Sequence, residues 1–189
     1  MTDYVYFTAD WEADNVIMSE YLDEVEFYSG TERKEMLKVP SKEGGSMLYG
    51  TTWRNSCHSS LTKRRTIDPE TGLYRTKVWD DNPHLKEIFK EFANIYFPEF
   101  VYTQTQMNKN FPCPPHKDST NIGESVLCCF GEYKGGATCL YINDKIVKLN
   151  PRDKPEKFNG SKLLHWVEQY KGTRYSLVFF NNNKSYKKK

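Results

Sequence analysis

Apolar positions fall at helical spacing in two stretches of the first hundred residues and in short β-type runs thereafter. Asp14 to Phe27 carries Val16, Ile17, Tyr21, Leu22 and Val25, which predicts a short acidic helix. A second stretch is more regular. Leu85, Ile88, Phe89, Phe92, Ile95 and Tyr96 form one stripe, with Asn82 placed to cap it, Pro83 to open it and Pro98 to stop it. Between the two helices, residues 29 to 80 show little periodicity and are broken by Gly44, Gly45, Ser46, Ser56, Ser59, Ser60 and Pro69, which predicts short strands and long loops. Beyond Pro98, the runs 101–107, 125–130, 137–142, 145–149, 163–167 and 173–180 are rich in β-branched and aromatic residues. Turn formers such as Gly131, Gly135, Gly136, Asn159, Gly160 and Gly172 separate them. Short strands without helices between them pack as a sandwich or jelly roll. The expected class is therefore α+β, with N-terminal helices buttressing an antiparallel β core.

Composition narrows this picture. A chain of 189 residues reads as one domain with a core of its own. Its mean hydropathy is −0.77, no apolar run approaches the length of a membrane span, and the N-terminus is acidic where a signal peptide would be basic. The expectation is a soluble, intracellular, monomeric protein with no membrane partner. Five cysteines without a CxxC pair argue for reduced thiols and against a zinc knuckle. Adjacent Cys128 and Cys129 would point to opposite faces of one strand, one inward and one outward, in packing roles. The net charge of +2 conceals a gradient: residues 1–30 carry eight acidic and no basic side chains, whereas Lys184 to Lys189 contribute four lysines. The region around Arg54, Lys63, Arg64 and Arg65 is basic, with Trp53, Tyr74 and Trp79 interleaved.

The candidate chemistry centres on two of the four histidines. In Pro114-Pro115-His116-Lys117-Asp118 the first and third functional side chains of an extended segment project to one side. His165, on a later strand, can supply a third ligand. Two histidines and a carboxylate on one face leave coordination positions open, the arrangement suited to non-haem Fe(II), a co-substrate and O2. Arg174 follows His165 by nine residues and shares a face with Ser176, so a guanidinium and a hydroxyl could hold the remote carboxylate of a dicarboxylic acid, 2-oxoglutarate. Arg174 could equally be a surface ion-pair partner, and Ser176 a polar residue on a strand face.

The order His116-x-Asp118, His165, Arg174-x-Ser176 resembles the Fe(II)/2-oxoglutarate dioxygenases. The resemblance implies a cupin-like double-stranded β-helix over roughly residues 101–181. It places residues 1–100 as support and lid within a single dioxygenase domain, 1–183, with a basic tail at 184–189. It also implies the cofactors Fe(II), 2-oxoglutarate and O2, and hydroxylation of a C–H bond with release of succinate and CO2. His116, Asp118 and His165 would hold the metal; Arg174 and Ser176 would hold the co-substrate. Asn108 resembles an asparagine that contacts the co-substrate in the AlkB branch, although Asn108 and Asn110 could instead close a turn.

Within that superfamily, Gln106-Met107-Asn108-Lys109-Asn110-Phe111, Gly123-Glu124-Ser125, Gly131-Glu132-Tyr133-Lys134-Gly135-Gly136 and Arg174-Tyr175-Ser176-Leu177-Val178 are most similar to the TET/J-binding-protein branch. That likeness implies oxidation of the methyl group of 5-methylcytosine or thymine, with DNA or RNA as partner. Arg54, His58, Lys63, Arg64 and Arg65 are then candidate substrate contacts, because a flipped base needs cationic loops and aromatic planes around it. A protein side-chain hydroxylase of prolyl or lysyl type is the alternative, and a non-catalytic metal-binding module a third.

Overall fold

The computed structural model describes residues 7–27, 44–52 and 66–182. Helix α1 spans Trp11–Asp23 and begins three residues before the expected helix. Asp10 stands at its N-cap and its carboxylate accepts hydrogen bonds from the Glu12 and Ala13 amides. Helix α3 spans Leu85–Tyr96 and buries the stripe Leu85, Ile88, Phe89 and Phe92. It starts two residues later than a cap at Asn82 would place it, because that asparagine closes a short helix not anticipated from sequence, α2 at Lys77–Asp81: its side-chain amide donates to the Val78 carbonyl at 3.1 Å.

Eleven strands follow in chain order: β1 Gly45–Thr52, β2 Tyr74–Arg75, β3 Gln104–Lys109, β4 Asn121–Phe130, β5 Tyr133–Gly135, β6 Thr138–Ile142, β7 Lys145–Leu149, β8 Glu156–Phe158, β9 Leu164–Val167, β10 Tyr170–Gly172 and β11 Tyr175–Asn182. Six form one antiparallel sheet in the order β2-β1-β3-β11-β4-β8. Three form a second, β7-β6-β9, and β5 pairs with β10. Two of the six strands in the larger sheet, β1 and β2, come from before residue 100. The architecture is mostly antiparallel sheet with few helices, jelly-roll-like, as the strand spacing anticipated.

Alternation along the strands separates two cores. On β11, Tyr175, Leu177 and Phe179 face the helices; on β4, Val126, Cys128 and Phe130 do the same. Phe92 of α3 anchors that layer, its ring within 6.5 Å of those of Phe7, Trp11, Tyr96, Phe97, Phe130 and Phe179. The opposite face carries Leu127 and Cys129, which pack with Leu140 and Phe158 between the two sheets. Cys128 and Cys129 therefore do point to opposite faces, but both faces are covered and both thiols are fully buried. None of the helices among the described residues is long and apolar enough to cross a membrane.

Register brings residues far apart in sequence into one row. Ser46 pairs with Asn108, Asn108 with Ser176, and Ser176 with Cys129, across β1, β3, β11 and β4. Ser46, Asn108 and Ser176 of this row line the cavity between the sheets.

Candidate metal centre

Pro114 and Pro115 keep the chain extended, since the first lacks an amide proton and the second disfavours helix in its predecessor. His116 then pairs antiparallel with His165 of β9: the His116 amide donates to the His165 carbonyl and the His165 amide to the His116 carbonyl, both at 3.0 Å. The two rings are brought to a centroid separation of 4.1 Å. In each histidine, Nδ1 donates at 2.9 Å to the carbonyl two residues earlier, Pro114 or Leu163. Both Nε2 atoms are thereby turned toward Asp118. His116 Nε2 lies 3.5 Å from Asp118 Oδ1, and His165 Nε2 lies 3.6 Å from Oδ2.

These separations suit an ion bonded at about 2.0 to 2.2 Å to imidazole nitrogen and carboxylate oxygen, and the three ligand atoms lie within 4.8 Å of one another. The site fits a divalent transition metal with an open side on the cavity. Burial disfavours a charge on both histidines. At His116 the Asp118 carboxylate and the Cys113 thiol outweigh burial and push the pKa up to about 10. At His165 burial prevails, and the pKa is lowered. Cys113, whose Sγ lies 3.3 Å from His116 Nδ1, is a neighbour of the centre that spacing did not mark.

Asp118 is held by its surroundings. Its amide donates to the Gly160 carbonyl at 2.9 Å, and Asn121 Nδ2 donates to Oδ2 at 3.2 Å. A Cβ on Gly160 would lie 2.7 Å from Asp118 Oδ2 and 3.3 Å from His165 Cε1. The residue reads in sequence as a plain turn former; in space it leaves room for the carboxylate.

From the centre a cavity of about 760 Å³ runs along the sheet to Arg174, Ser176 and Asn108. Arg174 is 3% exposed, and no carboxylate pairs with it among the described residues. Its guanidinium lies 5.6 Å from the ring centres of both Tyr133 and Tyr170, its Nη2 donates to Cys129 Sγ at 3.0 Å, and its Nε has no partner. A buried, un-neutralised guanidinium is costly unless an anion completes it. The surface ion-pair reading of Arg174 is thus ruled out by its burial. Asn108 Nδ2 donates to Ser176 Oγ at 3.0 Å, so those two residues do stand together; no turn involves Asn108, which lies inside β3. Asn110 stands at a bend just after β3, with φ +47°, and exchanges two 2.8 Å bonds with the Arg174 backbone. Thr138, whose buried hydroxyl has no partner among the described residues, lines the same cavity and was not marked by any sequence signal. Gly136, in the left-handed region at φ +73°, gives Arg174 its room: a Cβ there would lie 3.1 Å from Cδ and Nε.

Arg54, His58, Lys63, Arg64 and Arg65 lie outside the described residues, as do Trp53 and the lysine tail. Thr52, where β1 leads into that basic segment, lines the cavity, and so do Thr76 and Lys77 beyond it. Two residues in this region do not serve as an open aromatic plane and a free cation. Trp79 is 7% exposed, stacked on Tyr49 with the Arg75 guanidinium 4.8 Å from its ring centre, and Arg75 is paired with Asp68.

No family model matches the chain, and no curated protein matches it. Solved structures do. NgTET1 in complex with 5mC DNA aligns at 17% identity and a TM-score of 0.50, over 90% of this chain and 69% of that one. A Pseudomonas putida prolyl-4-hydroxylase aligns at 13% identity and a TM-score of 0.50, over 96% and 91%. The likeness is one of fold, in keeping with the jelly-roll-like arrangement of antiparallel sheets that the strand spacing anticipated.

Proposed function

We propose that this chain is an Fe(II)- and 2-oxoglutarate-dependent dioxygenase with a double-stranded β-helix core, hydroxylating the methyl group of a 5-methylpyrimidine in nucleic acid. The observation that carries the chemistry is the pairing, along one cavity, of a two-histidine, one-carboxylate face with a buried arginine that lacks an anionic partner among the described residues.

The residues divide the work by position. His116, Asp118 and His165 would hold Fe(II), their Nδ1 and carboxylate contacts fixing which atoms face the ion. Arg174, Ser176 and Thr138 would receive the far carboxylate of 2-oxoglutarate, with Asn108 orienting the Ser176 hydroxyl. Fe(II) and 2-oxoglutarate, when bound, would supply the electrons that activate O2, which is the oxidant. The protein supplies positioning and a dry wall, for which Leu127, Phe158 and Val178 line the cavity. No general acid or base is required of the chain.

For the substrate, three things support a methylated base: the motif likeness to the TET/J-binding-protein branch, the fold shared with a structure that holds 5mC DNA, and the departure of the basic 53–65 segment from a residue that lines the cavity. The fold shared with a prolyl-4-hydroxylase supports the second reading, a protein side-chain hydroxylase. Incubation with 5-methylcytosine DNA, 5-methylcytosine RNA, thymine DNA and proline- or lysine-rich peptides, each followed by mass spectrometry, separates them. An oxidised base in Fe(II)- and 2-oxoglutarate-dependent amounts is expected. Peptide hydroxylation without base oxidation overturns the nucleic-acid assignment.

A further inference from the structure

Cys129 occupies an unusual place for a thiol. It is fully buried on β4, in direct register with Ser176 of β11, and it faces the cavity side of the sheet, away from the helices. Its Sγ accepts from Arg174 Nη2 at 3.0 Å, and the Tyr133 hydroxyl also bonds to it. Burial pushes the thiol up in pKa against the pull of the guanidinium, so it stays neutral beside a cation. The guanidinium thus has an aromatic face on two sides, a neutral sulfur at Nη2, and an unpartnered Nε.

We propose that Cys129 is a positioning residue for Arg174: a neutral, weakly accepting sulfur orients the guanidinium toward the cavity while leaving its positive charge to the carboxylate of the co-substrate. The inference rests on the dioxygenase reading and goes beyond it, since it explains how a buried arginine remains available to an external anion. A carboxylate at this position would form an internal ion pair and occupy the fork that the co-substrate needs. An alanine would let the guanidinium turn within its aromatic cleft. A serine hydroxyl keeps a neutral acceptor at nearly the same point.

The test compares ligands with and without a remote carboxylate. The full chain and its Cys129→Asp, Cys129→Ala and Cys129→Ser variants are loaded with Co(II) in place of Fe(II) and titrated calorimetrically with 2-oxoglutarate and with oxalate. Oxalate can chelate the metal but has no group to reach Arg174. Cys129→Asp is expected to weaken 2-oxoglutarate at least about 100-fold and Cys129→Ala about 10-fold, with Cys129→Ser within about threefold of wild type; oxalate should bind all four alike. Should Cys129→Asp fail to fold, the alanine variant decides. Unchanged 2-oxoglutarate binding in a folded Asp or Ala variant overturns the inference alone, as does an equal loss for both ligands. A wild-type protein that binds Co(II) and oxalate but not 2-oxoglutarate overturns the dioxygenase reading and the inference with it.

Discussion

His116 and His165 are hydrogen-bonded to each other through both backbone amides, at 3.0 Å in each direction, and each directs Nδ1 to the carbonyl two residues upstream. The two Nε2 atoms that face Asp118 are consequently set by backbone pairing and local carbonyls, with no need for long-range side-chain contacts. A divalent ion at about 100 times its dissociation constant should stabilise the fold by about 2.7 kcal/mol, a rise of roughly 5 to 10 °C in Tm for a chain of this size. Differential scanning fluorimetry with Co(II) or Mn(II) checks this. His116→Ala, Asp118→Ala and His165→Ala should each abolish the rise.

Gly160 is predicted to matter to the metal more than to the fold. Its φ is not in the left-handed region, so alanine is tolerated by the backbone, but the added methyl would stand 2.7 Å from Asp118 Oδ2. Gly160→Ala should keep a near-wild-type Tm without metal and lose most of the metal-induced rise, with affinity down on the order of 10- to 100-fold as for other disturbed outer contacts. Calorimetric titration with Mn(II) gives the affinity directly.

Asp14 supplies a pH-dependent part of the stability. It is fully buried, and four donors converge on its carboxylate: the Thr8 amide at 2.7 Å, the Thr8 hydroxyl at 2.8 Å, the Ala9 amide at 3.0 Å and the Tyr96 hydroxyl at 2.6 Å. Burial alone would raise its pKa, but these bonds outweigh it and hold the pKa below the usual carboxylate value. The stabilisation is therefore present above about pH 4 and is lost as pH falls through the depressed folded value. Asp14→Asn, which can accept at only one of two atoms, should cost roughly 2 to 3 kcal/mol at pH 7. Urea unfolding from pH 7 down to pH 3 should show the gap to wild type narrowing below pH 4.

Asn110 joins the end of β3 to Arg174 by exchanging two 2.8 Å bonds with its backbone. Asn110→Gly keeps the left-handed backbone and removes only the side-chain acceptor for the Arg174 amide. The expected result is a several-fold loss of 2-oxoglutarate affinity with metal affinity unchanged, read by calorimetry on the Co(II) form.

The parts legible in sequence are those whose signal is local. The α3 stripe from Leu85 to Phe92 is set by 3.6-residue spacing, and the β4, β6 and β11 runs by β-branched and aromatic content. His116, Asp118, His165 and Arg174 stood out through an order of residue types that chemistry constrains. Hidden were the features that depend on register. β1 sits inside the large sheet although Gly44, Gly45 and Ser46 break the periodicity of its region in sequence. Cys129 touches Arg174 only because β4 and β11 align it with Ser176, 47 residues further along the chain. Trp79, which in sequence sits among basic residues like a base-stacking plane, is drawn into the core by α2 and Tyr49. Thr138 and Gly160 carry no signal in one dimension, since their importance is an unpartnered hydroxyl and an absent methyl.

In the proposed arrangement, one cavity holds Fe(II) at His116, Asp118 and His165 and 2-oxoglutarate against Arg174. Succinate release by the full chain with Fe(II), 2-oxoglutarate, ascorbate and 5-methylcytosine DNA tests it most directly. The expected result is Fe(II)-dependent succinate accompanied by an oxidised base, lost in His116→Ala and reduced at least about 100-fold in Arg174→Ala at 2-oxoglutarate levels that saturate wild type. Wild-type protein that takes up metal yet forms no succinate with any substrate, or Arg174→Ala that turns over like wild type, would contradict it.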